Sequence, residues 1–163
     1  MSLVAFAPFF LQACAMFFDE LYFHRRRGLP LWERLGHPLD TLSVLAVFSY
    51  TLLVDFSEDR LRIYLALASF SCLLVIKDEF IHYRLCSAWE MVLHGFLFIL
   101  HPLVFLSLAL IWQSQGSPTP LLELSSDVLM FFVKGQLALI SCFFVLQIWY
   151  WNLYKKLGAG GRR

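Results

Sequence analysis

The chain has 163 residues, of which 60% are hydrophobic and 15% charged, and its formal net charge is +1. Soluble domains average about 45–50% apolar and about 25% charged residues, so this composition indicates an integral membrane protein. The basic residues flank hydrophobic runs, with no recognition helix or stacking platform between them. This pattern excludes nucleic acid as a partner, and the partner we expect is the lipid bilayer.

The hydrophobic runs predict an all-α integral membrane protein with five transmembrane helices in one membrane domain, residues 1–163. A helix rises about 1.5 Å per residue, so about 20 apolar residues cross the hydrocarbon layer. The first run has no basic n-region and no convincing cleavage site, so we expect a retained helix rather than a signal peptide. The predicted units are a first helical hairpin at 3–54, a second at 61–113, a fifth helix at 121–152 and a tail at 153–163.

Turn signals separate these helices. Pro30 suits the first position of the second helix, because proline lacks the N–H that is unpaired there anyway. A polar segment at 55–60 predicts the loop before the third helix. Ser87 and Glu90 form a capping-box pattern that predicts the start of the fourth. The segment 113–120 is rich in Ser, Gly and Pro and predicts the loop before the fifth.

The basic residues indicate the orientation of the chain. If five helices alternate across the bilayer, ten Lys and Arg residues fall on one side and two on the other. The positive-inside rule then places the C-terminus in the cytoplasm and the N-terminus outside. We expect a bacterial inner membrane or an equivalent one.

A polar pattern occurs twice along the chain. Each copy has an Asp-Glu pair, a His about one helical turn later, and a Trp-Glu pair followed after three residues by another His. The second halves match without a gap, and the first halves align only if one residue is dropped from the connection. Under the five-helix topology the two hairpins have the same orientation, as in parallel internal repeats. The copies are Asp19-Glu20, His24, Trp32-Glu33 and His37, and Asp78-Glu79, His82, Trp89-Glu90 and His94.

The duplicated pattern predicts a metal site in a bundle of the first four helices. Residues three or four apart share a helix face, so each helix offers one carboxylate and one imidazole. Metal sites in helical bundles are built from such inward-facing pairs. Eight nitrogen and oxygen ligands suit two metal ions, with iron favoured and zinc or manganese as alternatives. The predicted ligands are Glu20, His24, Glu33, His37, Glu79, His82, Glu90 and His94.

Further polar residues lie beside these ligands. Asp19, Asp40 and Asp78 are candidates to orient the imidazoles from the outer side of the site. His101 lies seven residues beyond His94, on the same helix face, and is a candidate ninth ligand or substrate contact. The competing interpretation is a salt-bridge network between these acids and the neighbouring arginines.

The predicted function is that of a membrane-embedded di-iron oxidoreductase. We expect it to act at the cytoplasmic leaflet on a lipid-soluble or quinone-like substrate, or on dioxygen or a peroxide. One alternative is a zinc-dependent membrane hydrolase, in which the metal lowers the pKa of bound water to about 7. The other is a metal-binding or metal-sensing membrane protein that is not an enzyme.

Overall fold

The computed structural model describes the backbone of residues 2–116 and 120–154, and within these ranges all side chains except those of residues 2, 3, 78–82 and 116. This part of the chain is helical and contains no strand. Five long helices follow one another, as the sequence predicts: α1 (Val4–Arg27), α2 (Leu31–Leu53), α3 (Glu58–Leu85), α4 (Ala88–Gly116) and α5 (Ser126–Ile148).

α1 is irregular at both ends. Its α-helical part, Ala7–Phe18, follows a 3₁₀ segment at Ser2–Phe6. A π-helical segment at Asp19–His24 and a final α-helical turn at Arg25–Arg27 complete it. A second π-helical segment, Trp149–Tyr154, extends α5.

Gly28 ends α1. Its φ of 76° lies in a region that side chains with a Cβ rarely adopt, and its N–H donates to the carbonyl of His24 at 2.8 Å. Pro30 then precedes α2 as its N-cap residue, with an extended ψ of 163°. The predicted start of the second helix at Pro30 is therefore one residue early.

Three of the helices are long and apolar enough to cross a membrane: Val4–Arg27, Ala88–Gln115 and Ser126–Tyr154. Large hydrophobic side chains also face outward along the bundle, for example Phe131, which is 80% exposed. An exposed apolar surface of this kind is typical of contact with lipid. The molecule is therefore consistent with an integral membrane protein, whereas the count of five spans and the orientation of the termini stay predictions.

The packing of the helices does not confirm the predicted hairpins. α1 packs mainly against α4, and α2 packs most extensively against α5 and α3. α5 was expected to lie outside the four-helix bundle, yet it contacts both α2 and α4. All five helices thus contribute to one bundle.

The two ends of the bundle differ. Around the end of α2 and the start of α3, Phe48, Leu108 and Trp112 form a tight apolar core. The indole N–H of Trp112 donates to the Val54 carbonyl at 2.7 Å, and the Tyr64 hydroxyl donates to the Phe105 carbonyl at 2.5 Å. At the opposite end, where α1 ends and α2 and α4 begin, the interior is polar.

Candidate metal centre

Five side chains of the duplicated pattern are buried at this polar end. They are Asp19 and His24 on α1, Glu33 on α2, and Glu90 and His94 on α4, each at most 6% exposed. Ionisable groups are costly to bury without partners, so their shared position requires an electrostatic explanation.

Asp19 lies between two imidazoles. Its Oδ2 atom is 3.2 Å from Nε2 of His24 and 3.1 Å from Nε2 of His94. Asp19, His24, Glu90 and His94 each bring a potential ligand atom within 4.8 Å of the others. The buried carboxylate and the two imidazoles thus converge on one small volume between α1 and α4.

The π-helical segment of α1 explains why Asp19 reaches His24. In an α-helix, residues three or four apart share a face. Regular α-helical geometry would therefore pair Glu20 with His24 and place Asp19, five residues before His24, on a different face. A π-helix closes its hydrogen bonds at i→i+5, so residues five apart come together. Asp19 and Glu20 consequently both contact His24.

Glu20 approaches His24 from the other side of the ring. His24 Nδ1 donates to Glu20 Oε2 at 3.2 Å. The Trp151 indole N–H, from the π-helical end of α5, donates to the other carboxylate oxygen of Glu20. Trp151 is 2% exposed, so this link ties the end of α5 to the histidine.

Arg27 binds the side chains of two of the predicted metal ligands, Glu33 and Glu90. Its guanidinium donates to both carboxylate oxygens of Glu33, at 3.0 and 2.7 Å, and to Oε1 of Glu90 at 3.1 Å. The other oxygen of Glu90 accepts from the backbone N–H of Ser87 at 3.3 Å. The Ser87 hydroxyl accepts from the Glu90 N–H, so the predicted capping box forms.

His37 and Asp40 lie on the α2 side of the site. The His37 ring stacks on His24 at 5.0 Å, and its Nε2 atom is 4.0 Å from Glu33. His24, Glu33 and His37 form a second group with ligand spacing, but Glu33 is already bound to Arg27. Asp40 accepts a hydrogen bond from Lys77 at 2.5 Å.

The second copy of the pattern is described only in part. The backbone of α3 is helical across 78–82. The side chains of the predicted ligands Glu79 and His82, and of Asp78, lie outside the described residues, so their roles stay predictions.

A cavity of about 180 Å³ opens directly beside Asp19 and the histidines. All five helices line it. His24, His37 and His94 lie at its polar end, and phenylalanines of α1, α2, α4 and α5 form much of its wall. A largely apolar cavity therefore adjoins the cluster of carboxylates and imidazoles.

The residues at this end of the bundle could hold a metal ion. Asp19 Oδ1 is buried and makes no hydrogen bond within the described part of the chain, and buried His24 Nε2 has its 3.2 Å contact with Asp19 Oδ2 but no hydrogen bond there. The guanidinium of Arg27 balances Glu33 and Glu90, whereas the carboxylates of Asp19 and Glu20 contact imidazoles and an indole N–H. A bound cation would give Asp19 Oδ1 and His24 Nε2 a ligand contact and offset the remaining negative charge.

Cys86 lies near Arg27 and Glu90 but offers no thiolate. Burial raises the pKa of its thiol to about 12, so the thiol is protonated at neutral pH. The candidate ligand atoms that the structure brings together at this end of the bundle are nitrogen and oxygen atoms.

Sequence reasoning missed the role of Trp151, whereas the ion pairs of Arg27 with Glu33 and Glu90 belong to the salt-bridge network that was the competing interpretation. Arg27 lies in a run of three arginines that the positive-inside rule already explains, and Trp151 lies in an aromatic segment typical of a membrane interface. Asp19 was placed on the outer side of the site because a regular α-helix was assumed. No protein-family model, curated protein or solved structure matches this chain, so any functional assignment rests on this geometry.

Proposed function

We propose that this protein is a membrane oxidoreductase with a single non-haem iron ion held by Asp19, His24 and His94. The observation that carries the proposal is the placement of one buried carboxylate oxygen within 3.2 Å of two imidazole nitrogens on different helices. Two histidines and one carboxylate with open positions are the ligand set of non-haem iron(II) oxygenases.

The surrounding contacts support this ligand assignment. Metal-bound histidines usually donate their other ring N–H to a carboxylate, and Glu20 supplies that acceptor to His24. Asp19 and Glu20 thereby exchange the roles expected from the sequence. A second ion at His24, Glu33 and His37 would require Arg27 to release Glu33, so we propose one ion rather than two.

The cavity indicates the substrate class. Its walls are mainly apolar, and it lies within a bundle whose outer surface is hydrophobic. A lipid-soluble molecule is therefore the substrate proposed, with dioxygen or a peroxide as the electron acceptor. Iron supplies the one-electron and oxygen chemistry when bound, while this chain holds the substrate and excludes water.

Reconstitution with different metals tests the proposal. Metal-free protein in detergent is loaded with Fe(II) or Zn(II) and given a lipid-soluble hydroquinone under air, and dioxygen consumption is recorded. We expect turnover by the iron form, none by the zinc form, and none by an iron-treated Asp19→Asn variant. Equal rates in the iron-treated wild type and Asp19→Asn variant would contradict the proposal.

The same three ligands also suit catalytic zinc, which commonly has three protein ligands and an open position. The hydrolase alternative is supported if only the zinc form cleaves a lipid ester. A protein that binds metal tightly but turns over neither substrate belongs to the sensing or storage class.

A further inference from the structure

The end of the cavity away from the metal centre has its own polar group. Gln12 on α1 lines the cavity there, and its Nε2 atom is 3.3 Å from Nδ1 of His101 on α4. Its Oε1 atom is buried and makes no hydrogen bond with the described residues. A buried carbonyl oxygen without a partner favours a ligand that brings a donor.

A chain of hydrogen bonds fixes this group across four helices. His101 Nε2 is 3.1 Å from the Ser71 hydroxyl, and Ser71 is 2.7 Å from the Ser43 hydroxyl. Both ring nitrogens of His101 are thus engaged, and it is the amide nitrogen of Gln12 that faces the imidazole. The amide oxygen is left to accept.

The two polar ends of the cavity lie on the same pair of helices. Gln12 and Asp19 are seven residues apart on α1, and His94 and His101 are seven apart on α4. Seven residues span about 10 Å, or two helical turns, so each pair stays on one face. One compact molecule can therefore be held at both ends.

The volume of the cavity and the side chains that line it indicate that its ligand contains a ring. The volume of about 180 Å³ is slightly larger than that of an apolar protein cavity of roughly 150 Å³ that binds benzene. Phe9, Phe48, Phe98 and Phe143 contribute to the wall, and aromatic side chains pack well against a flat ring. An acyl chain would leave the Gln12 oxygen without a donor.

We propose that the cavity binds a para-hydroquinone, with one hydroxyl donating to Gln12 Oε1 and the other directed toward Asp19 and His94. This inference names the substrate of the proposed function, and in that respect rests on it. The reduced ring is preferred over the quinone because a quinone carbonyl cannot donate to the amide oxygen.

Binding to metal-free protein tests this inference without the metal. Durohydroquinone, duroquinone and the hydrocarbon durene have the same ring and differ in the two para positions. Affinities are measured anaerobically by equilibrium dialysis in detergent, with micelles lacking protein as the partition reference. We expect wild-type protein to bind durohydroquinone about tenfold more tightly than the other two.

Two variants locate the contact. Gln12→Met keeps the length of the side chain but removes the amide, and should bind durohydroquinone and durene equally. Gln115→Met makes the same replacement near the end of α4, outside the cavity lining, and should keep the preference. Equal affinity of wild-type protein for durohydroquinone and durene would overturn the inference, as would an unchanged preference in Gln12→Met.

The two proposals fail separately. Selective binding of the hydroquinone by a protein that takes up no metal would leave the ring site standing and remove the proposed function. Metal uptake without ring selectivity would do the reverse. The wild-type comparison of three probes also decides the matter if Gln12→Met does not fold.

Discussion

Arg27 joins three helices at the polar end of the bundle. From the last turn of α1 it binds Glu33 of α2, which is 0% exposed, and Glu90 of α4, which is 2% exposed. A buried ion pair gains little over an apolar replacement of both partners, but removal of one partner leaves an uncompensated charge. At this site two carboxylates depend on one guanidinium.

Replacement of Arg27 by methionine is therefore expected to destabilise the protein by about 3–5 kcal/mol. Denaturant unfolding in detergent micelles, followed by circular dichroism, measures the loss. Arg26→Met is the matched control, because Arg26 is exposed and contacts the Tyr22 ring. If both variants unfold at the same denaturant concentration, the guanidinium does not hold these helices together.

Two of the predicted metal ligands, Glu33 and Glu90, have a different partner in the structure. Glu33 and Glu90 occupy equivalent positions in the duplicated pattern and both bind Arg27. Both are buried at the polar end of the bundle, but their spacing could not distinguish a metal ligand from an arginine partner. That distinction depends on where α1 ends, which Gly28 determines through its positive φ.

The π-helical segment of α1 is the element on which the proposed centre depends. It coincides with a difference between the two copies of the pattern: four positions separate Glu20 from His24, whereas three separate Glu79 from His82. The second copy lies in a regular α-helix. The first copy thus has a second extra residue besides the one in the connection between His24 and Glu33, and it falls where the helix widens, as expected for a π-bulge.

A deletion within this segment should be tolerated better than one in regular helix. Removal of exposed Leu21 would restore α-helical spacing, leave the flanking residues in phase, and place Asp19 four residues before the histidine. Removal of exposed Leu11 would rotate the preceding part of α1 by about 100°.

We expect the Leu21 deletion to yield folded, metal-binding protein and the Leu11 deletion to yield aggregated protein. Size-exclusion chromatography and metal analysis distinguish these outcomes. Equal damage from both deletions would show that the segment is not an insertion into an α-helix.

Helix positions and caps could be predicted at the element scale because they follow local rules. The capping box of Ser87 and Glu90 occurs where the sequence places it, whereas the loop predicted at 55–60 is shorter, because α3 already begins at Glu58. The approach of Asp19 to His24 could not be predicted, because π-helical geometry arises where tertiary contacts outweigh local preference. Those contacts include Trp151, which lies 131 positions from Glu20 along the chain.

For the whole molecule, the sequence predicted an all-helical chain with polar residues gathered at one end, and the described residues agree. It did not predict which helices are neighbours. Helices that are apolar around most of their circumference give little indication of which face meets which partner. The pairing of α1 with α4 and the central place of α5 are therefore properties of the assembled bundle.

The separation of a tight apolar core from a polar end with a cavity is the main feature of the bundle. The core around Trp112 fixes one end of the helices, and Arg27 and the capping box fix the other. Between these fixed ends the cavity adjoins the carboxylate and imidazole cluster. The central claim is that Asp19, His24 and His94 hold a metal ion at that boundary.

Metal content per chain tests this claim most directly. Wild-type protein, Asp19→Asn, Glu20→Gln and the control His101→Ala are purified in detergent, loaded with Fe(II) anaerobically and titrated with a chelator. We expect one ion per chain in wild type and His101→Ala, 10–100-fold weaker binding in Glu20→Gln, and none in Asp19→Asn. Undiminished iron in Asp19→Asn, or no iron in any form, would contradict the account.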